Sequence, residues 1–150
     1  MLRDRALVTL SQQHHNGLAL CVLTDRGLAG DASPEGLASL ASGVVDSYDH
    51  ELANHFAIEE EVLFPAIERE LGPCSLVHEL IAEHRQLEKL VGQLRTAADL
   101  GTLQQFSALL RTHIRREENE LFEDIQGRLP RQTLDALGAT VDARAGRMPI

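Results

Sequence analysis

Two segments carry the residues best suited to hold a cation: His55-Phe-Ala-Ile-Glu59-Glu60 and His113-Ile-Arg-Arg-Glu117-Glu118. A histidine followed four residues later by a carboxylate lies on one face of an α-helix, the two side chains one turn apart. An imidazole nitrogen and a carboxylate oxygen then come from a single rigid element. The match continues, because Leu63-Phe64 in the first segment recurs as Leu121-Phe122 in the second. Histidine, both glutamates, leucine and phenylalanine repeat in one order at one offset, which reads as an internal duplication.

Other histidines join these two. His14 and His84 each fall on the apolar stripe of a separate helical stretch, as His55 and His113 do on theirs. A polar ring left unsatisfied in such a place costs about 1–3 kcal/mol. Four of them, with Glu59 and Glu117 beside them, call for a shared partner. Two carboxylates buried together would repel and take up protons, whereas two divalent cations between them turn that penalty into binding. Imidazole with carboxylate suits iron, and also zinc, manganese or copper; no thiolate lies at ligand spacing. The candidate ligands are His14, His55, Glu59, His84, His113 and Glu117, with His15 as the alternative to His14 or as a residue behind it. His15 is kept because Leu18 follows it by three, as Leu87 follows His84. Glu60 and Glu118 lie about 100° around the helix from their neighbours, which suits solvent or the back of a ligand. A glutamate run is usually only a solvated face, but this one recurs after a histidine both times. His50 and His78 point away from these faces, and Tyr48, the lone phenol, suits packing.

The elements that would position these residues are all helical. Leu7, Leu10, Leu18, Cys21 and Val22 share a face, predicting a first helix over about 7–28. Ser33-Pro34-Glu35 then reads as N-cap, first position and first turn of a long second helix reaching about Leu71. Pro65 should kink it or loosen its last turns, and Gly72-Pro73 should stop it. A third helix is expected over about 75–98, a turn around 99–102, and a fourth helix over about 103–126. Residues 131–143 read as one more short helix over an end of the bundle, and 145–150 as a fraying tail. The fold class is therefore all-α: an antiparallel up-and-down four-helix bundle with a short extra C-terminal helix, in a single domain over residues 1–150.

Composition agrees. In 150 residues, hydrophobics at 43% and charged residues at 25% mark a globular chain, while aromatics at 3% without Trp favour aliphatic helix packing. A net charge of -9 with no basic stripe excludes a nucleic-acid surface. No run approaches the ~20 apolar residues that span a bilayer, and the start has no leader-like apolar stretch. Cys21 and Cys74 lack CxxC spacing and fit a reducing compartment. A cytoplasmic location is expected, with no membrane partner; oligomeric state is left open.

Taken together, Leu10-Ser-Gln-Gln-His14-His15, the His55 to Pro65 segment, Glu83-His84-Arg-Gln-Leu87 and the His113 to Phe122 segment resemble the haemerythrin-like, or HHE cation-binding, family over nearly the whole chain. The resemblance implies an oxo- or hydroxo-bridged pair of iron ions, bridging carboxylates and an open position for dioxygen or a related molecule. Carried across, the ligands are again His14, His55, Glu59, His84, His113 and Glu117. The chain departs from the oxygen-carrying members twice. Their third helix supplies two histidines at spacing four, where this chain has Leu80, His84 and Glu88; their last helix pairs a histidine with an aspartate, where this chain has His113 and Glu117. Glu88 is an extra carboxylate candidate. The expected function is binding or sensing of dioxygen, nitric oxide, peroxide or iron. The alternative is an enzyme reducing peroxide or nitric oxide, or an iron donor for iron–sulfur repair.

Overall fold

A computed structural model of the chain describes residues 2–146; the fraying expected at the C-terminus falls mainly on 147–150, outside that range. The described residues form five helices and no strand. Asp4 caps a single 3-10 turn at Arg5–Leu7, accepting the Ala6 backbone N–H, and α1 (Val8–Gly30) follows. Ser33 accepts the N–H of Gly36 with Pro34 at the first position, so α2 starts where the capping residues place it. It runs over residues 34–71, and Gly72, at φ 85°, ends it in a conformation that side chains avoid. Then come α3 (Ser75–Thr96), α4 (residues 100–128) and α5 (Arg131–Arg144). The fourth helix begins three residues earlier than its apolar pattern suggests because Asp99 is a cap, its carboxylate accepting from Thr102 N–H at 2.9 Å.

Three-residue connections fold α1 to α4 into a ring in which α1 touches α2 and α4, and α3 touches α2 and α4. The extra helix lies over one end, against the Arg5–Leu7 turn and the Glu59–Leu63 stretch of α2. None of the described helices is long and apolar enough to cross a membrane.

Pro65 neither stops nor frays α2, which continues to Leu71. The helix instead widens into a π turn at Glu59–Leu63, closed by the Phe64 N–H on the Glu59 carbonyl, just ahead of the residue that has no N–H to give. Similar wide turns occupy Tyr48–Leu52 and Glu117–Phe122.

Apolar side chains collect in two cores rather than one. Leu7, Leu10, Leu63, Phe64, Leu80 and Phe122 belong to the core at the α5 end; Cys21, Phe56, Leu87, Phe106 and Leu110 belong to the other. Each fully buried Leu, Ile or Phe contributes about 1.5–3 kcal/mol. Along every bundle helix the candidate ligands come between residues of the first core and residues of the second, so a polar layer crosses the middle of the bundle.

Candidate metal centre

Every histidine or charged side chain that the described structure buries is one of six: His14, His55, Glu59, His84, His113 and Glu117, each at most 3% exposed. Diagonal helices α2 and α4 bring Glu59 and Glu117 to the middle. Glu59 faces imidazoles on both sides, with Oε1 3.0 Å from His84 Nε2 and Oε2 3.3 Å from its own helix's His55 Nε2. Glu117 Oε1 lies 2.8 Å from His14 Nε2 and 3.4 Å from His113 Nε2. These atoms resolve into two four-donor groups, His14, His55, Glu59 and Glu117 against Glu59, His84, His113 and Glu117, the donors within each lying within 4.8 Å of one another. Both groups share the two carboxylates.

The opposite edge of each imidazole is held in place. His14 Nδ1 meets Glu118 at 2.5 Å, His84 Nδ1 meets Glu60 at 2.7 Å, His113 Nδ1 meets Glu83 at 2.7 Å, and His55 Nδ1 meets Gln13 at 2.7 Å. A ring that donates Nδ1–H in this way turns its Nε2 lone pair inward, the arrangement that metal-ligating histidines use. Aromatic rings close the walls: Phe56 stacks on His84 at 3.9 Å between centroids, and Phe122 on His14 at 5.4 Å.

What the inward atoms face decides whether a cation fits. Both oxygens of Glu59, Oε2 of Glu117 and Nε2 of His84 and His113 are buried without a hydrogen bond, and His14 and His55 turn their Nε2 atoms to each other at 3.1 Å. Each unsatisfied atom costs about 1–3 kcal/mol, a penalty that two cations would remove together. Electrostatics agrees. Burial holds the imidazoles of His55 and His84 towards neutrality, His84 falling to about 3. Burial opposes charge on His113 as well, but Glu117 and Glu83 beside it raise it to about 9. Burial and the adjacent Glu117 push Glu59 well above the usual carboxylate range, while His113, Glu59 and His14 hold Glu117 well below it despite its own burial. Protons share out the charge between paired carboxylates, and a metal would have to displace them.

A family profile described as the Hemerythrin HHE cation binding domain matches residues 5–125. The chain belongs to that family. Neither a curated protein nor a solved structure matches it. The family binds cations, and the buried His/Glu groups supply donors for them. The matched stretch holds all six inward residues and stops before α5, which lies outside the HHE segment.

Of the remaining candidates, His15 is exposed, one residue away from the cluster that His14 joins. Its apparent alignment with His84 fails because the structural counterpart of Leu87 is Gly17, where a Cβ would come within 2.8 Å of Ile114 Cδ1. Glu88 does not reach the centre; it pairs with Arg85 at 2.8 Å. Tyr48 packs edge-on against Phe56. His50 meets the Asp46 carbonyl, and His78 meets Glu68, both at the surface. Gln13 and Glu83 were not anticipated. Their signal was present: each immediately precedes an inward histidine, Gln13-His14 and Glu83-His84, in a second repeat that the exposed His15 obscures.

Proposed function

We propose that this HHE domain holds two iron ions, one on His14 and His55, the other on His84 and His113, with Glu59 and Glu117 bridging both. The observation that carries this is the sharing of the same two carboxylates by two four-donor groups. Two imidazoles with carboxylate oxygen is a donor set that suits iron and leaves coordination positions free; zinc or manganese can occupy the same donors. Iron held by these residues would supply a redox-active centre able to take a small molecule such as dioxygen, nitric oxide or peroxide.

The role that fits best is reversible binding or sensing of such a molecule, or of iron itself. Among the described residues the other buried polar side chains are Thr9, Thr24 and Ser107. Thr24 donates to the Leu20 carbonyl, Ser107 to Asp25, and Thr9 to Asp142. None is aimed at the centre. Its walls are Phe56, Phe64 and Phe122, which exclude water and deliver no proton, as suits binding better than turnover.

Protein purified without air should carry two iron per chain by elemental analysis, and nitric oxide or azide should give new visible absorption bands. Iron-free protein that cannot be reloaded refutes the metal assignment. Loaded protein whose spectrum ignores nitric oxide, azide and peroxide refutes the ligand role, and turnover of peroxide with a reductant supports an enzyme instead.

A further inference from the structure

The residues behind the imidazoles follow the same duplication as the ligands, with one exception. Glu118 on α4 holds His14 on α1, and Glu60 on α2 holds His84 on α3. In the other direction Glu83 on α3 holds His113 on α4, but Gln13 on α1 holds His55 on α2. Three carboxylates and one amide therefore do equivalent work. Each carboxylate has its own arginine: Arg3 at 3.1 Å from Glu118, Arg116 at 2.7 Å from Glu83, and Arg85 on Glu60. Among the described residues, the one hydrogen bond to the Gln13 side chain is that of His55.

We infer that the two halves of the centre bind metal unequally: His84 and His113 form the tighter site, His14 and His55 the weaker, and the choice of Glu83 or Gln13 sets the difference. This rests on the two-metal reading. A carboxylate accepting Nδ1–H makes the imidazole a stronger electron donor through Nε2, while a neutral amide fixes the tautomer and adds little charge. Removing such a carboxylate typically weakens metal affinity about 10–100-fold. His84 and His113 both have carboxylates behind them; of His14 and His55 only His14 does. The first ion therefore enters the α3–α4 half, and Gln13 and Glu83 act as positioning residues that order the loading.

The test titrates cobalt(II) into metal-free protein against a competing chelator, following visible absorption for affinity and paramagnetically shifted imidazole N–H protons for location. Two stages at least tenfold apart are expected. The first should shift the N–H protons of His84 and His113, the latter identified by its change in Glu83→Gln. Gln13→Glu should tighten the second stage about tenfold or more and narrow the gap, and Glu83→Gln should weaken the first. Both exchanges keep side-chain shape, and helical circular dichroism confirms the fold. Equal stages in the native protein, the reverse order, or a gap that neither variant changes would overturn the inference. Failure to bind cobalt at all refutes the two-metal reading instead.

Discussion

The helices that supply two donors are built differently from those that supply one. α1 and α3 are regular throughout and give His14 and His84. α2 and α4 give a histidine and a glutamate each, and each widens into a π turn that begins at its glutamate. A regular α-helix advances 100° per residue, so the residue five after Glu59 would sit about 140° away from it. Where the Phe64 N–H bonds the Glu59 carbonyl, those two residues instead come nearly into line. Leu63 and Phe64 are both buried, and likewise Leu121 and Phe122. The wide turn thus puts a carboxylate into the centre and a phenylalanine beside an imidazole from the same helix face: Phe64 on His84, Phe122 on His14.

The largest consequence concerns the bridges. If α2 and α4 carry the shared ligands, Glu59→Ala or Glu117→Ala should lose both ions, whereas His14→Ala or His84→Ala should lose one. Elemental analysis of anaerobically purified variants distinguishes these. Equal losses from glutamate and histidine variants would erase the distinction between the two helix pairs.

Next in size is the phenylalanine that each wide turn brings inward. Truncating a buried Phe costs about 3–5 kcal/mol, so Phe64→Ala and Phe122→Ala should each lower thermal stability by that amount in metal-free protein. A cost below about 1 kcal/mol would mean that the turn does not hold the ring in the core.

Smaller again is the second glutamate of each pair. Glu60 and Glu118 reach across to the histidine of the neighbouring helix. Glu60→Gln and Glu118→Gln should weaken metal affinity about 10–100-fold without changing the number of sites. Chelator competition measures it, and unchanged affinity in both would leave these carboxylates as surface charges.

How much of this the sequence shows depends on whether the signal is local. The helices are legible because Leu80, Leu87 and Leu94 or Phe106, Leu110 and His113 repeat at helical period and the caps at Ser33 and Gly72 are strong. The inward histidines and glutamates are legible because a duplicated His-x-x-x-Glu-Glu has few other uses. The wide turns are not, since neither Glu-Glu-Glu-Val-Leu nor Glu-Glu-Asn-Glu-Leu-Phe contains a residue that forbids regular helix. That Glu60 and Glu118 suit the back of a ligand is legible from their place around the helix, but which histidine each holds is not, because their partners are 24 and 104 residues away in the chain. Gln13 and Glu83 were readable in principle but masked by the exposed His15.

The smallest effect tests the one helix beyond the family match. α5 is tied to the bundle entrance by Asp4, whose carboxylate accepts the Ala6 N–H at 2.9 Å and takes two bonds from Arg131, at 2.7 and 3.0 Å. The Arg131 guanidinium holds Asp4 below the ordinary carboxylate range. A carboxylate depressed by folding contributes stability that is fully present above its unfolded value and is lost as pH falls through the folded one. Asp4→Ala should therefore cost about 0.5–2 kcal/mol near neutrality, the usual range for a lost cap. That cost should shrink as the pH drops below the carboxylate range, because the native protein loses the same interaction there. Thermal melts of metal-free native and variant protein at pH 7 and pH 3 check this. A difference that stays constant with pH would mean that Asp4 acts as a neutral cap, and that its pairing with Arg131 contributes nothing to holding α5 beside the buried Leu134, Leu137 and Val141.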